Sequence, residues 1–322
     1  MIKQLLAQQA QTPQKAFGEA FAPSNIALIK YWGKRQSLLN LPMTSSLSIS
    51  LGAKGAKTRI SAIDAVQNQV FLNGHIISVD DPFHQRLSHF LNLLKPDPKQ
   101  FYHIDTELNL PVAAGLASSA CGFAALVKAF ADLYTWNLPE PILSILCRMG
   151  SGSACRSLWQ GFVEWHRGER EDGLDSYAEP LPYTLPGLII GLHLIQTGQK
   201  PISSREAMNI TTQTSVLYET WPKQVEQDLA QIKNALEQQN FQRVGEVAEH
   251  NALAMHATML AARPSICYFL PETLLAMQKI KNLRSEGLPI YFTEDAGPNL
   301  KILSLAPYRT EIQKHFPNLE WV

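Results

Sequence analysis

The stretch that most constrains this chain is Pro111–Tyr134, PVAAGLASSACGFAALVKAFADLY. It opens as a loop of very small residues, Ala113, Ala114, Gly115, Ala117, Ser118, Ser119 and Ala120, and turns at once into a helical pattern. Ala120, Ala124, Val127, Ala131 and Tyr134 recur at steps of four and three, the spacing of one helix face. Phe123, Leu126, Phe130 and Leu133 form a second apolar face, with Lys128 and Asp132 on the remaining strip. A helix apolar on most sides is enclosed by other elements, so its N-terminus lies inside the protein. The free N–H groups and positive dipole end at such a start attract an anion, and tiny side chains let a phosphate approach closely. No Gly-Lys-Ser/Thr follows the glycine, so this is not a Walker loop. Close packing of an Ala/Gly-rich helix on a neighbour accounts for the same residues, and the stretch alone leaves both readings open.

The rest of the composition narrows the function. A chain of 322 residues is long enough for about two domains and a large core. Lys+Arg and Asp+Glu both total 28, so no long-range field draws in nucleic acid or an anionic membrane, and neither is expected as a partner. Any phosphate must be recognised by individually placed groups. No apolar run approaches the roughly 20 residues of a membrane span. Cys121, Cys147, Cys155 and Cys267 show no close metal spacing, which points to a reduced, cytoplasmic chain with buried thiols. Residues 1–20 read as a short helical N-terminal extension outside the main fold, without an apolar run of signal-peptide length.

The order of elements is that of an α+β protein. Ile26–Trp32, Ser45–Leu51, Thr58–Ala62 and Gln69–Leu72 read as strands, and Asn73-Gly74 turns the last into Ile76–Val79. Asp81-Pro82 starts a helix through Leu94, and Tyr102–Leu108 is a strand leading to the opening loop. A helix over Pro139–Met149 stops at Gly150. Ser151-Gly152-Ser153 then bridges to a third helix, with Ser153 as N-cap and Arg156 in the first turn. A cation there opposes the helix dipole unless an anionic ligand offsets it. Phe162–Trp165 and Pro186–Ile195 are strands around a charged loop. The texture changes near residue 190, and the chain divides into an N-terminal domain (21–187) and a C-terminal one (188–322). Amphipathic helices Gln224–Gln238, Phe241–Leu260 and Pro271–Glu286 follow, then strands Ile290–Thr293 and Leu300–Leu305 joined by a tight turn at residues 294–299. Asp295 in that turn is a catalytic candidate by position or a turn-initiating aspartate.

Four segments carry a resemblance: APSNIALIKYWGKR (Ala22–Arg35), PVAAGLASSACGFAALV (Pro111–Val127), GSGSACRS (Gly150–Ser157) and YFTEDAGPN (Tyr291–Asn299), with a weaker EDGLDSYA (Glu171–Ala178). In order, and over nearly the whole chain after residue 21, they resemble the GHMP-type small-molecule kinases and, within them, the mevalonate diphosphate decarboxylases. The GLASSA loop is shared across the superfamily; KYWGKR, SGSACRS and DAGPN are far more specific. The resemblance implies a two-domain GHMP kinase-like fold with the active site in the inter-domain cleft. It implies ATP and Mg²⁺ as cofactors, mevalonate 5-diphosphate as substrate and a homodimer. The implied reaction phosphorylates the C3 hydroxyl, then expels phosphate and CO₂ to give isopentenyl diphosphate. A monophosphate decarboxylase and a kinase that stops at C3 are the nearest alternatives.

The resemblance also assigns roles. Asp295 would accept the proton of the C3 hydroxyl or orient that nucleophile. Lys30 would hydrogen-bond Asp295 and the C3 oxygen, keeping the carboxylate ionised. Arg156 would hold the substrate carboxylate through its planar fork. Tyr31, Trp32, Gly33, Lys34, Ser151, Gly152, Ser153, Ala154 and Cys155 would form the substrate wall, with Ser204 near the phosphates and Arg205 as an added phosphate contact. In an extended strand Lys30 and Lys34 would project to one face. Gly115, Leu116, Ala117, Ser118 and Ser119 would hold the ATP phosphates, and no side-chain metal ligands are expected. The family arginine after the LNG turn has its matching place near Phe83, with Arg86 three positions on. Glu294 departs from the apolar neighbour usual in the family; strand alternation turns it away from Asp295, so a small effect is expected. His256 reads as a hydrogen-bonded core histidine.

Overall fold

The computed structural model describes residues 2–110, 118–196, 198 and 201–322, and of Ser118 the backbone only. After a single helical turn, α1 (Ile2–Leu5), come strand β1 (Gly18–Ile29), the short ribbon of β2 (Lys34–Gln36) and β3 (Leu41–Pro42), and the long β4 (Ser46–Ile63). The two strands expected at Ser45–Leu51 and Thr58–Ala62 are thus one. Glycines let it bend without breaking: Gly52 has φ +61°, and a Cβ on Gly55 would stand 2.1 Å from the Ala22 carbonyl oxygen. β1 pairs antiparallel with β4 along its length, and the register shifts between Pro23 and Asn25, where proline has no N–H to give the ladder.

The first half continues with β5 (Gln69–Leu72), β6 (His75–Ile76), α2 (Pro82–Leu94), β7 (Phe101–Leu108), α3 (Ser118–Leu133), α4 (Glu140–Gly150), β8 (Phe162–Trp165) and β9 (Ala178–Pro180). Asp81 caps α2 as its sequence suggests, accepting from the Phe83 N–H. Among the described residues the sheet order is β6-β5-β7-β4-β8-β9, with β1 also on β4; only the β5–β7 pairing is parallel. The helix expected after Gly150 is instead a single 3-10 turn, Gly152–Arg156, with Ser151 rather than Ser153 at its N-cap. The six residues between the end of α4 and Ser157 suffice for one tight turn and no more.

The second half begins with β10 (Leu188–His193) and contains α5 (Ser204–Thr214), α6 (Trp221–Glu237), α7 (Phe241–Leu260), α8 (Pro271–Ser285), β11 (Tyr291–Glu294), β12 (Leu300–Leu305), α9 (Arg309–His315) and β13 (Glu320–Trp321). Its sheet, in the order β11-β12-β10-β13, is separate from the first. The fold is therefore α+β, with two sheets and helices packed on them.

One apolar core runs through both halves, from Ile26 and Phe130 to Trp221, Val247 and Met255, while Phe292, Ile302 and Phe316 belong to a smaller second core. Polar ties reinforce the join. The Trp221 indole N–H and the Tyr218 hydroxyl both donate to the Trp32 carbonyl oxygen at 3.0 Å. The N-terminal extension is not detached. Ile2 and Leu6 are buried in the main core, and the Trp136 indole donates to the Ala10 carbonyl oxygen at 2.9 Å.

Helix α3 is enclosed as its two apolar faces require: it packs across β1 and β4, with Phe123, Ala124, Val127 and Phe130 all buried. Phe130 stacks on Tyr134 at 4.8 Å and meets Trp136 and Tyr102 edgewise or tilted at 5.2 and 5.3 Å. Phe130→Ala leaves a cavity at this convergence and is expected to lower stability by about 3–5 kcal/mol, read as a drop in the urea midpoint at unchanged m-value. A loss under about 1 kcal/mol would mean that α3 is not the packing axis of the first half.

Candidate active site

β1 stops pairing at Ile29, and the next N–H, of Lys30, donates to the Asn251 side chain of α7 at 2.8 Å instead of to β4. Asn251 is itself fixed by donating to Asp228 at 2.8 Å. The backbone therefore leaves the first sheet where it meets α7, and Lys30 turns inward, 2% exposed. Its ammonium donates to the Ala27 carbonyl oxygen and to Asp295 Oδ1, both at 2.8 Å. The Thr293 hydroxyl, from β11, donates to that same Ala27 carbonyl at 3.4 Å.

The β11–β12 hairpin supplies the other side. Its register sets Thr293 opposite Lys301, and the Lys301 ammonium lies 3.0 Å from Asp295 Oδ2. Lys301 is also 2% exposed. Each carboxylate oxygen of Asp295 thus has its own lysine. Burial works to raise the Asp295 pKa, but the two ammonium groups outweigh it and hold the carboxyl well below the ordinary range. Burial in turn lowers the Lys30 pKa, with the charge of Asp295 working against that shift.

These residues open on a cavity of about 790 Å³ between the two halves. Its wall is rich in cations: Lys34, Arg86, Arg156 and Arg205 all line it, and among the described residues none of them forms a salt bridge. Asp295 is the single carboxylate among the described lining residues. Arg156, 2% exposed, is held by donating to the Ser46 hydroxyl and by lying over the Trp165 ring at 5.9 Å. Its Nε has no hydrogen-bond partner among the described residues, nor have Arg86 Nε and the Tyr31 hydroxyl. Buried donors of this kind cost free energy until a ligand meets them. Lys34 donates to Asn40 at 2.7 Å, and burial, with Arg205 close by, pushes its pKa down to about 8.

Lys30, Tyr31, Trp32, Lys34, Ser119, Ser151, Gly152, Ser153, Arg156, Ser204, Arg205 and Asp295, all expected at the site, line this cavity. Three expected substrate-wall residues do not. Ala154 and Cys155 are fully buried behind the 3-10 turn, where the Cys155 thiol donates to the Gly152 carbonyl at 3.0 Å. Gly33 serves the backbone: at φ +106° it turns the chain, and a Cβ there would stand 1.6 Å from the Tyr218 hydroxyl. For the same reason Lys30 and Lys34 do not share one extended strand, since β1 ends before Lys30 and β2 begins at Lys34. Gly115, Leu116 and Ala117 lie outside the described residues, as does the Ser118 side chain.

Two cations of the site, Lys301 behind Asp295 and Arg86 on the cavity lining, were not assigned from sequence. Lys301 had a signal: a lysine inside the mostly apolar strand Leu300–Leu305 is an anomaly that asks for a partner. Arg86 projects from α2 into the cavity and lies over Phe123 at 4.9 Å, next to Phe83 on the lining. Asn25 is a third addition, anchoring the SGS turn by donating to the Ser157 hydroxyl at 2.7 Å and the Ser153 carbonyl at 3.3 Å.

Comparison with known proteins gives one family throughout. Residues 22–178 match the diphosphomevalonate decarboxylase-like N-terminal domain, and residues 190–318 match the mevalonate 5-diphosphate decarboxylase C-terminal domain. The diphosphomevalonate decarboxylase mvd1 of Aspergillus fumigatus is 38% identical over 309 residues, spanning 88% of this chain and 76% of that protein. The mevalonate diphosphate decarboxylase from Staphylococcus aureus superposes with a TM-score of 0.88 at 35% identity, covering 95% of this chain and 98% of that one. MDDEF in complex with MVAPP, AMPPCP and magnesium superposes with a TM-score of 0.89 at 39% identity, covering 95% and 96%. This chain belongs to the diphosphomevalonate decarboxylase family.

Proposed function

We infer that this protein catalyses the ATP-dependent decarboxylation of mevalonate 5-diphosphate to isopentenyl diphosphate. The observation that carries the assignment is Asp295, held between Lys30 and Lys301 and facing a cavity whose other charges, among the described residues, are all cationic. A relative of this fold binds MVAPP, AMPPCP and magnesium, which supports a phosphorylated substrate and an ATP-type donor here. A cytoplasmic homodimer is the setting we assign, in keeping with four cysteines that form no disulfide.

The cavity fits these groups. The unpartnered Tyr31 hydroxyl, Lys34, Arg86 and Arg205 form one end and suit a terminal diphosphate, with Ser151 and Ser153 beside them. This many donors favours the diphosphate over the monophosphate. Ser119, in the first turn of α3, lines the cavity where ATP phosphates would meet the helix start. Mg²⁺ would accompany the bound ATP, with the Ser119 hydroxyl on the cavity lining as a residue that could help hold it, and would supply charge neutralisation during phosphoryl transfer. When bound, Mg·ATP supplies the γ-phosphoryl group.

Asp295 orients the C3 hydroxyl. Because two ammonium groups hold its pKa low, Asp295 is a weak base in the ground state. It takes the hydroxyl proton late, once the forming P–O bond has made that proton acidic. With its pKa held low, it passes the proton on to solvent and is an anion again before the second stage. In the second stage the C3–O bond breaks with its electron pair leaving on phosphate, and positive charge grows at C3. Asp295 stabilises that charge electrostatically, while Lys30 faces the departing oxygen. Arg156 holds the carboxylate so that the C1–C2 bonding pair aligns with the empty C3 orbital. That pair becomes the new double bond as CO₂ leaves.

Incubation with ATP and mevalonate 5-diphosphate is expected to yield ADP, phosphate and CO₂ in equal amounts; ADP without CO₂ would make the protein a 3-kinase. Asp295→Asn is expected to lower kcat by on the order of 10²–10⁴-fold with nucleotide binding retained, and a variant within tenfold of wild type would remove Asp295 from the chemistry. Lys34 gives a pH test. It is charged below about 8 and loses its proton above, and an anionic ligand favours the charged form. KM for the diphosphate substrate is therefore expected to rise as pH passes about 8, and Lys34→Arg to abolish that rise. A KM flat across this range would exclude Lys34 from diphosphate binding.

A further inference from the structure

One buried acid has no part in the chemistry above. Glu294, the last residue of β11, has no solvent exposure, and among the described residues neither carboxyl oxygen has a hydrogen-bond partner. Strand alternation turns it away from the cavity: Asp295 meets Lys30 and Lys301, whereas Glu294 meets the His256 ring of α7, Oε2 to Nε2, at 3.7 Å. His256 is buried too, stacked on Phe269 at 4.6 Å. Its Nε2 lies 3.1 Å from the Asp295 backbone carbonyl oxygen. A carbonyl can only accept, so Nε2 carries the proton and donates it there. Burial pushes the His256 pKa down to about 3, so the ring is neutral and offers Glu294 no counter-charge.

The remaining charges around Glu294 belong to the catalytic trio: Lys301 from β12, Lys30 beyond β1, and Asp295 itself. Both lysines are bonded to Asp295. Glu249, earlier on α7, is occupied by Arg284 at 2.8 Å and by the Phe292 N–H at 3.3 Å. An ionised carboxylate with no donor, in a fully buried site, is several kcal/mol too costly, and such a group keeps its proton.

We propose that Glu294 is a positioning residue for Asp295, a carboxylic acid kept neutral so that His256 donates to the Asp295 carbonyl and both lysines stay with the Asp295 carboxylate. Ionised, it would reverse this arrangement. The Nε2–H would move from a neutral carbonyl to a carboxylate 3.7 Å away, because charge-assisted hydrogen bonds are the stronger ones. Lys30 and Lys301 would then be shared between two anions. Burial raises the Glu294 pKa, with Lys301 and Lys30 opposing and Asp295 adding to the shift. Activity therefore acquires an upper pH limit that an apolar or amide residue at this position would lack.

The test compares wild type with Glu294→Gln, and with Glu294→Met should the amide variant not fold. The functional arm rests on the decarboxylase assignment; the folding arm does not, so the two can fail separately. In urea unfolding, a group whose folded pKa is raised stabilises the protein at low pH and loses that contribution as pH rises toward the folded value. The folding equilibrium constant of wild type relative to the variant is thus expected to fall about tenfold per pH unit from the ordinary carboxyl range through neutrality. In steady-state assays the variant is expected to keep kcat within about twofold at neutral pH, with the alkaline arm of its kcat profile displaced upward. A stability ratio flat above about pH 5, or an alkaline arm identical in both proteins, would overturn the proposal.

Discussion

The ion trio of Lys30, Asp295 and Lys301 is the interaction on which the rest of the site depends. Its members come from the end of β1 and from the β11–β12 hairpin, 265 residues apart for the Lys30–Asp295 bond. Both lysines are buried, at 2% exposure, and Asp295 faces the cavity between them, so neither ammonium is tolerable without it. Removing Asp295 would leave two buried ammonium groups uncompensated, which is strongly destabilising. The arrangement is kept for what it does to Asp295, which remains an anion at the point where a cationic carbon forms. Trio and cleft also fix each other. The bonds that set Lys30, to Asn251 of α7 and to the Ala27 carbonyl shared with Thr293, are the same bonds that join the two halves of the fold.

Neutral net charge coexists with a cavity that is locally positive. Lys34, Arg86, Arg156 and Arg205 converge there without carboxylate partners among the described residues, and burial or mutual repulsion lowers the pKa of the first three. That electrostatic cost is borne by the core beneath, above all by the enclosed α3 and the aromatic cluster around Phe130. A di-anionic or tri-anionic ligand reverses its sign. Binding energy gathered at the diphosphate end is thereby available to hold the C3 hydroxyl, the carboxylate and the phosphoryl donor in line.

Much of this was legible in the sequence where the signal is local. The two apolar faces of α3, the Asp81-Pro82 helix start and the Asp295 turn are each encoded within a few neighbouring residues. What escaped depends on register and rotation. Lys301 matters because the hairpin sets it opposite Thr293, one strand away from the motif that marks Asp295. Arg86 enters the cavity through the facing of α2, one turn beyond the place where an arginine was sought. The single strand β4 reads in sequence as two, whereas Gly52 is a bend at φ +61° and Gly55 admits the β1 backbone. Glu294 turned away from Asp295 as alternation required. Its burial against His256 could not be known without the position of α7.

The central claim is that two lysines hold Asp295 ionised beneath the reacting carbon. Carbon-13 NMR of the protein labelled at aspartate carboxyl carbons, with the Asp295 signal assigned by its loss in Asp295→Asn, measures this directly. The account predicts that the Asp295 signal keeps its ionised shift through the ordinary aspartate range near pH 3.9 and for as far as the protein stays folded. A titration midpoint at about 4 or above would contradict it.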